Sequence, residues 1–204
     1  MGEIGLFPLE LVLLPGERVP LHIFEDRYRE LVGECLNQGR EFGLILENDD
    51  GLREVGTRTA IVQLIDTFED GRMNVLVEGR DRFRLVELTE GRSFMTAEVE
   101  PLEDDDDPPS AEEVARAAEI FRRLVAVAEA EDIEEPDEGS PQLSFQIASR
   151  VDFGHDLKQE LLELRSEAAR LRRLSELLEQ AVEALVRERD VRQRASGNGK
   201  VSAE

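Results

Sequence analysis

The sequence predicts an α+β protein, in which a β-rich N-terminal half with one inserted helix is followed by a C-terminal helical bundle. In the first hundred residues, short apolar runs rich in β-branched residues alternate with Gly and Pro turn signals. An acidic run with two prolines at 103–110, EDDDDPPS, then interrupts the chain, and apolar residues recur at helical spacing after it. We therefore expect a β-rich subdomain at 1–100, an acidic linker at 101–110, a helical subdomain at 111–190 and a flexible tail at 191–204.

Two extended segments and a helix open the chain. The apolar run at 6–14 is typical of a strand, and Pro15 and Gly16 then occupy the central positions of a type II turn. VPLHIF at 19–24 predicts a second strand, and Gly39 can end the helix that follows. The apolar residues of that helix recur at the spacing of a single face: Tyr28, Leu31, Val32, Cys35 and Leu36.

Short strands occupy the rest of the N-terminal half. They are predicted at 42–47, 59–68, 72–79, 82–88 and 94–100. Asp70 and Gly71 lie between the second and third of these and are a strong hairpin signal. Gly79 is expected to end the returning strand. The arrangement predicts an antiparallel meander.

Helix-start signals mark the C-terminal half. Ser110 and Glu113 predict a capping box for a first helix, which an acidic loop at 129–139 follows. Ser140 and Pro141 then supply an N-cap and a first-turn proline for a second helix.

Two more helices and a tail complete the predicted bundle. Asp156 and Gln159 predict a capping box for a third helix, and a longer helix is expected to begin near Ser166. The apolar stripe of this last helix consists of Ala168, Leu171, Leu174, Leu178, Val182 and Leu185. The polar residues at 195–204 predict a frayed end.

Composition disfavours several classes of protein, although it does not exclude a local basic face. With 25 basic and 47 acidic residues the formal charge is −22, which repels phosphate backbones and anionic membrane surfaces. We therefore expect neither nucleic acid nor membrane as a partner. Cys35 is the single cysteine, so no intramolecular disulfide can form, and the acidic N-terminus does not fit a signal peptide. The expected location is the cytoplasm.

Several segments, in one order, carry a resemblance to a known family. They are LFPLELVLLPGERVPLHIFEDRYREL at 6–31, REFGLIL at 40–46, VGTRTAIVQLI at 55–65, DGRMNVLVEGRDRFRL at 70–85 and LSFQIASRV at 143–151. This pattern resembles the N-terminal substrate-binding domain of Lon proteases. The resemblance implies a β-rich pseudobarrel of the PUA-like kind, a helical bundle after it, and a stand-alone domain that contacts polypeptides.

The ATPase and peptidase modules of a full Lon protease are not expected in this chain. The phosphate-binding pattern G-x-x-x-x-G-K-[ST] does not occur in it. Lys158 and Lys200 are its two lysines, and neither lies where a Ser-Lys dyad would be recognised. We therefore predict no catalytic residue and no cofactor.

Candidate binding residues lie at the Pro-Gly turn and at the strand-to-helix junction. They are Leu14, Pro15, Gly16, Pro20, Phe24, Glu25, Arg27 and Tyr28. The polar groups of Glu25, Arg27 and Tyr28 could line a peptide groove. The favoured interpretation is architectural: Phe24 and Tyr28 anchor the core, Glu25 interacts with the helix dipole, and Arg27 pairs with a neighbouring acid.

The apolar residues around the turn offer a second surface. If Leu13, Leu14 and Val19 are exposed, they form the kind of apolar patch that marks an interaction site. Arg18 departs from the resemblance, because similar domains carry an apolar residue there.

Other motifs favour structural roles. His22 and His155 have no spacing that would build a metal site, and Cys35 on the apolar helix face predicts a buried thiol. In RDRFR at 80–84, Phe83 is expected in the core with Arg82 and Arg84 in solvent. The acidic run at 103–107 lacks the glycine and terminal Glu of a calcium loop and predicts no metal site.

The leading functional hypothesis is a non-enzymatic module that binds exposed apolar or extended segments of other proteins. The resemblance also suggests an adaptor in protein quality control. The alternative is a small-molecule-binding regulatory domain that uses the pseudobarrel cleft. A hydrolase independent of ATP is the third class, for which the sequence offers no nucleophile and base pairing. The oligomeric state is left open.

Overall fold

A computed structural model describes residues 2–197, and the side chains of residues 2–192. The described elements are β1 (Gly2–Leu9), β2 (Arg18–Ile23), α1 (Asp26–Gln38), β3 (Phe42–Asn48), β4 (Gly51–Thr67), β5 (Met73–Thr89), β6 (Thr96–Pro101), α2 (Ala111–Ala128), α3 (Leu143–Ala148), α4 (Gly154–Glu163) and α5 (Glu167–Gly197). Strands with one inserted helix precede a helical region, which confirms the predicted α+β class. No helix in the described part of the chain is long and apolar enough to cross a membrane.

The six strands form one mixed sheet that closes on itself. Their order is β2-β5-β4-β3-β1-β6, and β5 also pairs with β6. β5 pairs with β2 through its first half, from Met73 to Glu78, and with β6 through its second half, from Phe83 to Thr89. The sheet is therefore a small barrel from which β2, the first half of β5 and residues 60–67 of β4 extend as a ribbon.

One pairing departs from the predicted antiparallel meander. β1 and β3 are parallel, with Leu6 opposite Gly43 and Leu9 opposite Leu46. Parallel neighbours need a long crossover connection, and here β2 and α1 lie in the chain between the two strands. The inserted helix therefore accounts for the mixed sheet.

Gly79 does not end a strand, contrary to the expectation from sequence. β5 continues through it, and a Cβ at this position would overlap the carbonyl oxygen of Leu14. Gly79 also donates its N–H to the Glu17 carbonyl at 2.9 Å and accepts the Gly16 N–H at 2.9 Å. The glycine marks a close approach of two backbones, which holds the predicted Pro-Gly turn against the barrel.

The predicted helix ends are found where the capping contact joins residues that are close in sequence. The capping box of Ser110 and Glu113 is confirmed at the start of α2. At the start of α5, the Ser166 hydroxyl accepts the Ala169 N–H at 3.0 Å. Gly39 adopts a left-handed φ of 62° and ends α1 as predicted.

Two predicted helix starts are wrong. The hydroxyl of Ser140 accepts the N–H of Gln142, but α3 begins only at Leu143. α4 begins at Gly154, so Asp156 is in its first turn and is not its cap.

The C-terminal helix is longer than predicted. α5 continues to Gly197, so residues 191–197 of the predicted tail are helical. Residues 198–204, including Lys200, lie outside the described part.

Two large apolar clusters make up most of the core. One lies between the barrel and α1 and includes Phe7, Tyr28, Val32 and Phe42. The other joins Leu14, Leu46 and Val55 on the barrel side to buried residues of α2, α3, α4 and α5. A core shared in this way fixes the helices directly on the barrel.

A buried polar network reinforces this junction. Arg82 was expected in solvent, but its side chain is 4% exposed and donates to the carbonyl oxygens of Leu162 and Leu164 at 2.6 and 2.7 Å. Arg170 is fully buried and pairs with Asp104 at 2.5 Å and with Glu167 at 2.6 Å. Asp104, from the acidic run, pairs with both buried arginines, and together with Glu167 it balances their two charges.

Candidate functional site

Cys35 and Lys158, whose side chains could take part in catalysis, are both held in buried contacts. Burial raises the pKa of the Cys35 thiol to about 11, which keeps it protonated at neutral pH. The ammonium group of Lys158 contacts the Glu17 carboxylate at 2.6 Å, and both side chains are largely buried. Within residues 2–192 there is no group of three or more His, Cys, Asp or Glu side chains arranged to hold a metal ion.

The predicted turn surface is not available to a partner. Leu13 and Leu14 are 1% and 0% exposed, and Pro15 is also buried. Gly16 is exposed at the turn, with a left-handed φ of 78°. The condition for an apolar patch at this turn is therefore not met.

The strand-to-helix junction separates its two aromatic residues. Tyr28 is buried as predicted, and its ring stacks on that of Phe7 with 4.0 Å between the centroids. Phe24 was expected to anchor the core, but its side chain is 61% exposed. Arg27 pairs with Glu25 at 2.9 Å, the predicted neighbouring acid. Phe24 is thus the large apolar residue of the candidate set that is exposed. Pro20 and Arg27 are exposed as well.

The ribbon exposes further apolar side chains that the sequence interpretation did not single out. Val62, Leu64, Ile65 and Phe68 lie between the middle of the ribbon and its hairpin, and they are between 38% and 46% exposed. We call these four residues and Phe24 the tip surface. Large apolar residues exposed along one ribbon in this way mark a candidate interaction site.

The strand register explains how these residues come together. Leu21, Val75 and Leu64 lie side by side across β2, β5 and β4, and Ile23 lies beside Met73 two rows further toward the hairpin. The predicted hairpin at Asp70 and Gly71 joins β4 to β5, where Gly71 donates its N–H to the Phe68 carbonyl at 2.9 Å. Phe24 follows β2 directly, so it reaches the same end of the ribbon as Phe68.

An aromatic group forms one side of the tip surface. The ring of His22 lies 6.0 Å from that of Phe24 and 6.1 Å from that of Phe68, measured between centroids. The guanidinium of Arg72 lies 5.3 Å from the Phe68 ring, and Nδ1 of His22 contacts the Asn74 amide oxygen at 2.6 Å. These contacts hold the aromatic rings in place while they stay exposed.

The other side is formed by the outer edge of β4. β4 pairs with β3 only as far as Thr59, opposite Phe42. Beyond that point, residues 60–67 pair with β5 on one side, and no strand among the described residues pairs with them on the other. We call this free side the β4 edge.

Two β-bulges alter which side chains this segment exposes. Ile61 and Gln63 face consecutive residues of β5, so Val62 is an extra residue, and Ile65 is extra in the same way. Bulges re-aim the side chains of a strand. Leu64 and Ile65, which are adjacent in sequence, are consequently both exposed. The signal in the sequence was the run AIVQLI, which has more apolar residues than one buried face can hold.

A polar cavity of about 470 Å³ opens beside the C-terminal half of α1. Arg40, Arg58 and Arg92 line it together with three glutamates, Glu3, Glu34 and Glu41, and Arg92 pairs with Glu34. This is the place where the pseudobarrel could take a small ligand, and its mixed charge fits a polar one.

Comparison with known proteins gives a consistent result. Residues 3–180 match the family described as the ATP-dependent protease La (LON) substrate-binding domain. The chain is 24% identical to Lon protease 1 of Hydrogenovibrio crunogenus and 27% identical to a Lon protease of Paraburkholderia phytofirmans. Both alignments cover 91% of this chain. It spans 24% and 25% of the length of these two relatives.

Solved structures show the same fold. A Lon N-terminal domain protein from Xanthomonas campestris is 28% identical, with a TM-score of 0.67 over 85% of this chain and 97% of that one. The N-terminal domain of a Lon protease from the Mycobacterium avium complex also has a TM-score of 0.67, over 87% of this chain and 98% of the other. At 18% identity, the second likeness concerns the fold alone.

Proposed function

The chain belongs to the family of LON substrate-binding domains, and we propose that it recognises exposed apolar segments of other polypeptides at the tip surface. The single observation that carries this proposal is the exposure of Phe24, Val62, Leu64, Ile65 and Phe68 along one ribbon. Folded proteins bury such residues, whereas unfolded or misfolded ones expose them, so the surface selects for non-native chains.

We also infer that the protein acts by binding and has no peptidase or nucleotide-hydrolysing activity of its own. The matched residues correspond to the substrate-binding domain of the family. Binding without chemistry fits an adaptor in protein quality control, which holds a client until another protein processes it. Hydrolysis of casein by the purified protein, abolished by a single serine or cysteine substitution, would contradict this inference.

A second candidate function is supported by the polar cavity beside α1. Its lining of arginines and glutamates would bind a small charged metabolite rather than a polypeptide. A thermal-shift screen with charged metabolites separates the two functions, because a ligand at 100 times its Kd adds about 2.7 kcal/mol of stability. Stabilisation by a metabolite, with polypeptides inert, would favour the second function.

The test of the main proposal measures binding of a fluorescently labelled, permanently unfolded protein by anisotropy. Phe24→Ser and Phe68→Ser each remove an exposed ring from the tip surface. The matched control is Val86→Ser, because Val86 is 50% exposed and lies in the second half of β5. The natively folded form of the same labelled protein serves as the second control.

We expect the unfolded protein to bind and the folded one not to bind. Each tip substitution should weaken binding by about tenfold, which corresponds to about 1.4 kcal/mol for one exposed aromatic contact. The Val86 variant should bind as the wild type does. Equal affinity of all variants would place the binding surface elsewhere, and no binding of the unfolded protein would refute the proposed function.

A further inference from the structure

We propose that the β4 edge accepts an extended segment of a bound polypeptide as an added strand. This inference rests on the proposed function and specifies how binding occurs. A free sheet edge presents a row of unpaired N–H and C=O groups, which only an extended backbone can pair with. Residues 60–67 form such an edge on the side of β4 away from β5.

The β4 edge lacks most of the features that usually protect a strand from pairing with other chains. Exposed edges commonly carry lysines, prolines or bulges, or are covered by a helix or loop. Of these features the β4 edge has two bulges, at Val62 and Ile65. Residues 60–67, AIVQLIDT, contain no proline and a single charged residue, Asp66. All of residues 62–67 are exposed. An edge of this kind persists in a folded protein where it has a use.

Side chains on the β4 edge would add specificity to backbone pairing. Val62, Leu64 and Ile65 flank the backbone groups of the edge and are 38%, 46% and 44% exposed. An added strand directs alternate side chains to one face, so apolar residues at every second position would lie against them. The preferred segment therefore alternates apolar and polar residues.

Charge decides between another protein and a second copy of this chain as the occupant. The hairpin end of the β4 edge carries Asp66, Glu69 and Asp70, with Arg72 and Arg29 beside them. A second copy would add another chain with a formal charge of −22, and this charge opposes self-association. We therefore assign the edge to a segment of another protein that has Lys or Arg beside its apolar residues.

The experiment uses a synthetic ten-residue peptide of alternating valine and threonine with a lysine at each end. A matched peptide carries N-methyl groups on its central amides, which removes backbone donors and keeps the side chains. A third peptide has glutamate in place of lysine. Affinities are measured by fluorescence anisotropy for the wild type, for Ile65→Lys and Val62→Lys at the edge, and for Val86→Lys as the control.

We expect the lysine-flanked peptide to bind, with at least tenfold weaker binding of the N-methylated and the glutamate-flanked peptides. Loss of one or two backbone hydrogen bonds accounts for a change of this size. The two edge variants should lose affinity by a similar factor, and the Val86 variant should stay within twofold. Thermal unfolding of each variant shows that it is folded.

Each other outcome contradicts a specific step. If the N-methylated peptide binds equally well, the edge does not pair with backbone, although the proposed function stands. If no peptide binds but an unfolded protein does, strand addition is wrong and side-chain contacts suffice. If neither binds, the proposed function is refuted as well. A dimer in sedimentation that Ile65→Lys disrupts would assign the edge to a second copy.

Discussion

Phe24 and Tyr28 lie four residues apart and have different roles. Tyr28 lies in the first turn of α1, where the helical period turns it toward Phe7 and the core. Phe24 lies between β2 and α1, where no such period applies, and it projects into solvent. Proximity in sequence therefore says little about function at this junction.

Substitution of these two residues should separate stability from binding. Tyr28→Ala should lower the free energy of unfolding by about 3 kcal/mol, because it removes a buried, stacked ring. Phe24→Ala should change it by less than about 0.5 kcal/mol. Urea denaturation followed by circular dichroism measures both values. A large loss for Phe24→Ala would show that this ring belongs to the core after all.

The sequence predicted buried residues well where one helix face determined them. Tyr28, Leu31, Val32 and Cys35 are buried as their spacing indicated, although Leu36 is 39% exposed at the edge of the face. Arg82 could not be predicted in this way. Its environment depends on carbonyl groups of Leu162 and Leu164, eighty residues away, which no local pattern contains.

At the scale of elements, the sequence predicted the type of each helix, strand or turn better than its length. The helix α1, the hairpin at Asp70 and Gly71 and the capping box of α2 all depend on short-range patterns, and all are present. The predicted strands at 72–79 and 82–88 are instead one strand, β5. Gly79 signalled a break because glycine often ends strands, whereas here it allows contact with the turn.

Two glycine substitutions test this explanation of Gly79. Gly79→Ala should destabilise the protein by about 1–3 kcal/mol, because the new Cβ overlaps the backbone of Leu14. Gly33→Ala is the matched control. It lies within α1 with no atom near its potential Cβ, so it should stabilise by about 0.5–1 kcal/mol. Thermal or urea unfolding gives both values, and a neutral Gly79→Ala would refute the close approach.

The β4 edge could not be predicted from the strand pattern alone. The apolar run at 60–65 indicated a strand, but not that β3 would begin only at Phe42 and leave the run without a partner on that side. The bulges at Val62 and Ile65 arise from pairing with β5 and are likewise not visible in local sequence. The candidate site therefore depends on long-range register more than on a motif.

At the scale of the whole molecule, the barrel and the helices are held together by a shared apolar core and by the buried arginine network. Burial alone would raise the pKa of Asp104. Hydrogen bonds and charge from Arg170 and Arg82 outweigh this effect, and hold the pKa of that carboxyl below its ordinary value of 3.8. The ion pairs thus stabilise the folded state with Asp104 charged.

This shift predicts a specific pH dependence. A carboxyl whose pKa is lower in the folded state contributes stability above its unfolded pKa, and this contribution is lost as the pH falls below 3.8 through the folded value. Asp104→Asn should therefore be less stable at pH 7 and lose less stability between pH 5 and pH 2. Urea denaturation across this range tests it, with Asp156→Asn as an exposed control. An unchanged acid slope would contradict the role of Asp104.

The central claim is that the protein holds polypeptides at the tip of its ribbon, with the β4 edge in direct contact. The most direct measurement is amide hydrogen exchange with and without a saturating unfolded protein. The account predicts slower exchange at residues 60–67 in the complex and no change at residues 84–89 of β5. Protection confined to the polar cavity beside α1, or unchanged exchange at 60–67 in a saturated complex, would contradict it.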